Sequence, residues 1–197
     1  MLTIYQKENG QLMNQLKHKK QTGFTIVELL IVIVVIGILA AITIVAYNGV
    51  QSRAHSAKID SDLAQLEKAI RASRQLSGET FLKLSESMGS NQNGAGRGCW
   101  SEPSGTDLAV LDKTTDSCWT DYKAVLSIIS EKSGIEVGGL LDPWGRPYFI
   151  DQNEGEYNST DCREDIISTY RRPFITGYEN HDVKYERVLP NISSSCL

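Results

Sequence analysis

The chain has 197 residues and a formal net charge of −4, with 41% hydrophobic and 22% charged residues. Its first 23 residues carry four lysines against one glutamate, a charge of +3, so residues 24–197 carry −7. Nucleic-acid binding depends on neutralising phosphates with basic side chains, so no general nucleic-acid binding is expected of this acidic region. The length allows one domain and little more.

The first predicted element is an apolar helix over residues 24–47, which contains one charged residue, Glu28. A helix of about 20 apolar residues spans a bilayer, and the basic cluster at 17–20 predicts a cytoplasmic N-terminus and an extracytoplasmic C-terminus. An ordinary signal peptide has a shorter apolar core followed by an A-x-A-like site. Residues 39–42 read Leu-Ala-Ala-Ile and offer no such spacing, which favours a membrane anchor.

Glu28 is unusual in this setting because a charge inside a membrane segment costs a few kcal/mol and usually has a partner. No residue within 24–47 is expected to pair with it in the same helix, so the partner is expected on another chain. A plain anchor with Glu28 reaching towards the membrane edge is the alternative.

Residues 19–30, which read KKQTGFTIVELL, resemble the class III signal of type IV prepilins and type II secretion pseudopilins. The resemblance implies that a prepilin peptidase cuts after Gly23 and that the new first residue, Phe24, is N-methylated. It also implies that Glu28 serves in assembly, where it would pair with the new amine of a neighbouring subunit. Removing one partner of such a buried ion pair costs about 3–5 kcal/mol.

Beyond Tyr47 the pattern becomes amphipathic. Four apolar side chains share one helical stripe: Ile59, Leu63, Leu66 and Ile70. The helix is expected to stop at Gly78. The resemblance implies an α+β, type IV pilin-like fold in which the long helix packs against a small antiparallel sheet. The predicted domains are a basic leader (1–23), a transmembrane or filament-core helix (24–47), its amphipathic continuation (48–78) and an exported globular domain (79–197).

The globular region is predicted to contain one short helix, three strands and a flexible glycine-rich stretch at 89–98. The helix is expected at Asp121–Ser133, and a Pro-Gly turn at Asp142–Gly145. The strands are expected at Arg146–Asp151, Ile166–Tyr170 and Asp182–Leu189.

All four cysteines follow the apolar run: Cys99, Cys118, Cys162 and Cys196. An even number in an exported domain predicts two disulfides, and reduced buried thiols would require a reducing compartment. Three pairings are possible, of which Cys99–Cys118 with Cys162–Cys196 is the most local. Trp100 and Trp119, beside two of these cysteines, are interpreted as core packing.

Residues 142–148, Asp-Pro-Trp-Gly-Arg-Pro-Tyr, resemble a segment of major type II secretion pseudopilins, which bind calcium through a late loop. The corresponding region here offers Glu179, Asn180 and Asp182. Calcium needs about 6–8 oxygen ligands, so these three are weak candidates and solvated loop side chains are the alternative. No other cofactor is expected.

Catalytic motifs such as G-x-S-x-G and H-E-x-x-H do not occur in the sequence. Of the three histidines, only His181 could serve a soluble active site, and a surface-loop role is expected for it. A membrane-anchored extracytoplasmic enzyme is therefore the least favoured function.

The favoured function is a structural pilin, with roles in adhesion, twitching motility or DNA uptake, and the alternative is the major pseudopilin of a type II secretion system. The expected partners are prepilin peptidase, identical or related subunits, an inner-membrane assembly platform and, before assembly, membrane lipid. The expected location is the inner membrane as a single-pass protein and then a surface pilus.

Overall fold

The computed structural model describes residues 23–86, 97–154, 162–176, 180–192 and 196. The chain divides into two compact units, residues 1–47 and 48–197. The helices are α1 (Ile26–Ser77), α2 (Phe81–Glu86), α3 (Arg97–Trp100) and α4 (Ser117–Ser133), with a short 3-10 helix at Val183–Tyr185. The strands are β1 (Tyr148–Asp151), β2 (Asp165–Thr169) and β3 (Arg187–Leu189).

The second part of α1 supplies one wall of the main core. The four stripe residues predicted from the sequence are all fully buried: Ile59, Leu63, Leu66 and Ile70. They pack in one cluster with side chains of the sheet, including Tyr148, Ile150, Ile167 and Leu189. The helix ends where it was predicted to end, because Gly78 adopts a φ of +71° and donates its N–H to the carbonyl of Arg74 at 2.9 Å.

The three strands form one antiparallel sheet in the order β1–β2–β3, with Tyr148 opposite Thr169 and Asp165 opposite Leu189. The predicted α+β class, a long N-terminal helix with a small antiparallel sheet, is confirmed. The first strand begins at Tyr148 rather than at Arg146, and the residue before it is Pro147, which has no N–H to give to a sheet.

The third strand is much shorter than predicted. The ladder with β2 extends over Arg187–Leu189, whereas Val183–Tyr185 form the 3-10 helix. The side chain of Asp182 accepts a hydrogen bond from the N–H of Lys184 at 3.1 Å. This local cap turns the chain out of the extended conformation that alternation alone had suggested.

Helix α4 begins at Ser117, four residues before the predicted start at Asp121. Asp116 is the N-cap, and its carboxylate accepts from the N–H of Cys118 at 2.9 Å. The extra turn buries Trp119, whose indole N–H donates to the carbonyl of Leu108 at 2.9 Å. The packing role predicted for Trp119 is confirmed. The predicted end at Gly134 is also confirmed, with a φ of +69°.

The glycine-rich stretch predicted at 89–98 lies outside the described residues up to position 96. Its last two residues belong to α3.

The Asp142–Gly145 segment forms the predicted turn, in which the N–H of Gly145 donates to the carbonyl of Asp142 at 2.9 Å. Arg146, which is buried, forms an ion pair with the carboxylate of Asp142 at 2.7 Å. Its guanidinium also donates to the carbonyls of Tyr170 and Arg171 at 2.9 and 3.0 Å. The turn is thereby fixed to the chain that leaves β2.

A buried cluster of charges joins α1 to the C-terminal part of the chain. Arg74 is 2.5 Å from a carboxylate oxygen of Glu154 and 3.5 Å from one of Asp165. The other oxygen of Glu154 accepts from the N–H of Ile192 at 2.8 Å. One cation therefore faces two carboxylates, and all three side chains are at most 1% exposed.

Candidate assembly site

Glu28 lies in the first turn of α1 and makes local hydrogen bonds. One of its carboxylate oxygens accepts from the N–H of Thr25 at 2.8 Å and from the Thr25 hydroxyl at 2.7 Å. The hydroxyl oxygen of Thr25 in turn accepts from the N–H of Glu28 at 3.2 Å. These reciprocal bonds form a capping box, in which the residue before the helix and the third helical residue satisfy each other's N–H groups.

The expectation that nothing in residues 24–47 could pair with Glu28 is therefore wrong. Thr25 occupies its carboxylate within the same chain. The signal was present in the sequence as Thr-x-x-Glu directly before an apolar run. The capping box satisfies hydrogen bonds, and among the described residues no cation pairs with the Glu28 carboxylate, so a positive partner remains chemically useful to it.

The described part of the first unit, residues 23–47, has an almost entirely apolar surface. No residue of its most apolar 18-residue stretch is buried. Large side chains from Phe24 to Ile44 are between 48% and 83% exposed. Apolar patches of this extent on soluble proteins mark interaction or membrane surfaces. The helix is long and apolar enough to cross a membrane.

Gly23 and Phe24 precede the helix in irregular chain and are exposed. A Cβ atom added to Gly23 would meet nothing within 4 Å, so the fold itself does not require glycine there. The rest of the predicted leader, residues 1–22, lies outside the described residues. A requirement for glycine at this position would therefore come from an enzyme that acts on the Gly23–Phe24 peptide bond.

The structure contains two disulfides, Cys99–Cys118 and Cys162–Cys196, which is the most local of the three possible pairings. The first ties α3 to the start of α4, and the second closes a sequence separation of 34 residues near the C-terminus. The carbonyl of Cys162 also accepts from the side-chain amide of Asn191 at 2.6 Å.

Of the three calcium candidates, the structure describes only Asn180 and Asp182. Glu179 lies outside the described residues, Asn180 is fully buried, and a carboxylate oxygen of Asp182 caps the 3-10 helix. Within the described ranges, no group of three or more His, Cys, Asp or Glu residues could hold a metal ion.

The surface-loop role predicted for His181 is wrong. Its ring stacks on Phe149 with 4.7 Å between centroids, and its Nε2 lies 2.9 Å from a carboxylate oxygen of Glu186. Packing on Phe149, a buried residue of β1, accounts for this histidine. His18 lies outside the described residues, and His55 makes an edge contact with the ring of Trp144, at 5.2 Å between centroids.

The N-terminal segment matches a known family. Residues 18–44 match the prokaryotic N-terminal methylation motif. The type IV major alpha-pilin of Moraxella bovis is 40% identical over 73 residues, which cover 37% of this chain and 45% of that protein. The type II secretion system core protein G of Vibrio cholerae is 39% identical over 54 residues, which cover 27% of this chain and 37% of that protein.

The type IV major fimbrial protein FimA of Dichelobacter nodosus is 44% identical over 50 residues, which cover 25% of this chain and 32% of that protein. The chain thus spans less than half the length of these curated relatives. No solved structure matches it significantly. The predicted resemblance is confirmed: the chain carries a prepilin-type N-terminal motif, and its relatives are type IV pilins and type II secretion core proteins. None of these names denotes an enzyme.

Proposed function

We propose that this chain is a structural subunit of a type IV pilus-like filament, cut after Gly23 by a prepilin peptidase and N-methylated at Phe24. The observation that carries the proposal is an exposed apolar helix that begins with the capped Glu28, within a matched N-terminal methylation motif. Before assembly the helix anchors the subunit in the inner membrane, where lipid covers its apolar side chains. In the filament, helices of related subunits replace that lipid.

Glu28 then has two separable roles. Its hydrogen bonds with Thr25 fix the first helical turn, and its charge attracts the ammonium that cleavage creates on Phe24 of a neighbouring subunit. Opposite charges attract strongly where water is excluded, so this pair sets the position of one subunit against the next. Apolar packing between helices is non-directional and supplies adhesion without specifying that position.

Two substitutions distinguish these roles. Glu28→Gln retains a side chain that can complete the capping box but removes the charge, whereas Thr25→Val removes the capping hydroxyl and retains the charge. We expect Glu28→Gln to be processed normally and to lose most filament yield, because loss of one partner of a desolvated pair costs about 3–5 kcal/mol. Thr25→Val should lose far less, since a helix cap is worth about 0.5–2 kcal/mol.

Filament yield is measured by shearing cells and quantifying the released subunit, and processing is measured by the intact mass of the membrane-bound pool. Normal yield from Glu28→Gln would remove charge pairing from the mechanism. A defect confined to Thr25→Val would assign the role of Glu28 to helix capping alone.

The test of the whole proposal is N-terminal mass spectrometry of sheared surface filaments. Recovery of a chain that starts at methylated Phe24 supports it, and a mature chain that retains residues 1–23 would overturn it. The second candidate is a major pseudopilin, favoured by the core protein G relatives and by residues 142–148. That candidate predicts the same processed chain, but confined to the cell envelope. It also predicts that cells lacking the chain fail to export proteins.

A further inference from the structure

A cleft in the second unit is a candidate binding site separate from the apolar helix. It has a volume of about 340 Å³ and lies between three segments, residues 105–107, 144–146 and 172–174. The N–H of Gly105 donates to the carbonyl of Phe174 at 2.8 Å, which holds two of these segments together. The bonds from Arg146 to Asp142 and to the chain after β2 fix the third. The walls of the cleft are therefore preformed.

The two arginines in the cleft differ in whether their guanidinium N–H donors are available to a ligand. Arg146 is buried, and its guanidinium is committed to Asp142 and to two backbone carbonyls. Arg172 is exposed, and its guanidinium carbon lies 4.4 Å from the centroid of the Trp144 ring. Among the described residues, no carboxylate pairs with Arg172.

The guanidinium of Arg172 lies over the Trp144 ring, a contact between a cation and a ring face that needs none of its N–H groups. The planar fork of those N–H groups matches the two oxygens of a carboxylate. The Trp144 ring also makes an edge contact with the ring of His55. Arg172 is thus a preoriented donor at the mouth of a small cleft.

We infer that this cleft binds a carboxylate side chain from a second copy of this chain. The inference depends on the proposed function, because assembly brings copies close enough for a single ion pair to form. Residues 24–197 carry a net charge of −7, so a neighbouring copy presents an excess of carboxylates to Arg172, which pairs with none among the described residues. The volume is at the lower end of the range for small-ligand sites and suits one side chain with its adjoining backbone.

Asp107 also lines the cleft and sets the strength of this contact. Its carboxylate accepts from the N–H of Ala109 at 3.1 Å and remains exposed. The like charge opposes a second carboxylate in the cleft, so the contact is weak in each copy and becomes effective only when repeated along a filament. Asp107→Asn should therefore strengthen the association between copies, whereas Arg172→Gln should weaken it.

The direct test uses Arg172→Lys and a carbodiimide, which joins an amine to a carboxylate with no spacer. The full-length variant is treated in its native membranes and in sheared filaments, beside the wild-type chain, whose Arg172 does not react. We expect a new cross-linked dimer in the variant, with residue 172 joined to an Asp or Glu of the other copy, identified by peptide mass spectrometry. Absence of that dimer, or coupling only to Asp107 within one chain, would overturn the inference.

Filament yield provides a second readout with a matched control. Arg172→Gln and Lys184→Gln each remove one exposed positive charge that lies over an aromatic ring, and Lys184 is not in the cleft. We expect up to about a fivefold lower yield from Arg172→Gln and little change from Lys184→Gln. An equal loss of yield from the two variants would indicate an effect of net charge alone and would contradict binding in the cleft. If the wild-type chain forms no filament or envelope polymer, the proposed function itself fails, which is a different result.

Discussion

The buried charge cluster makes this protein sensitive to mildly acidic pH. Burial raises the pKa of Asp165 from its ordinary value of 3.8 to about 6, although hydrogen bonds from the N–H groups of Glu154 and Asn153 and the charge of Arg74 favour the ionised form. The folded chain therefore takes up this proton at a higher pH than the unfolded chain. The stabilisation from protonation is fully present below pH 3.8 and is lost as the pH rises through about 6.

Asp165→Asn tests this reasoning because it replaces the carboxylate by a neutral group of the same shape. One pKa unit corresponds to about 1.36 kcal/mol, so the raised pKa of Asp165 is worth about 3 kcal/mol of lost stability at pH 7. The amide oxygen can still accept the two backbone hydrogen bonds that the Oδ1 atom of Asp165 accepts now. We expect the variant to be more stable than the wild type at pH 7, by up to about 3 kcal/mol, and to match it near pH 4.

The assay is urea unfolding of the full chain in detergent, followed by tryptophan fluorescence between pH 4 and 7.5. Comparing the variant with the wild type cancels the pH dependence of all other groups. Glu154→Gln makes the same chemical change within the cluster, but it removes the carboxylate closest to Arg74. That control should be less stable than the wild type at pH 7, because only Asp165, at 3.5 Å, then faces the Arg74 cation. A less stable Asp165→Asn variant at pH 7, or parallel pH curves for it and the wild type, would refute the reasoning.

Two further predictions address processing and packing. Gly23→Val should abolish cleavage without disturbing the fold, since an added Cβ atom meets nothing within 4 Å; the intact mass would then retain residues 1–23, and a normally trimmed variant would contradict the assignment of this site. Leu63→Ala should lower the free energy of unfolding by about 2–5 kcal/mol, because Leu63 is fully buried between α1 and the sheet. Lys68→Ala, exposed on the same helix, should change it by about 0.5 kcal/mol or less. Similar urea midpoints for the two variants would contradict the packing described for α1.

Features encoded over a few neighbouring residues could be predicted from the sequence. The apolar run, the buried stripe from Ile59 to Ile70 and the stops at Gly78 and Gly134 all follow from periodicity and from the conformational freedom of glycine. The capping box of Thr25 and Glu28 belongs to the same group. Its partners are a hydroxyl and two backbone N–H groups, which a comparison of charges alone does not reveal.

The tertiary structure decided what depends on residues that are far apart in the chain. Arg74 meets Glu154 across 80 positions, and the guanidinium of Arg172 lies on the ring of Trp144. No local period encodes such meetings, because they depend on how the strands pair and where each loop returns. Alternation likewise overestimated β3, where the side chain of Asp182 formed a local cap instead. The sequence determined which segments of this protein are apolar, helical or charged. Packing determined that Arg74 is buried with its carboxylates, whereas Arg172 stays exposed over the ring of Trp144.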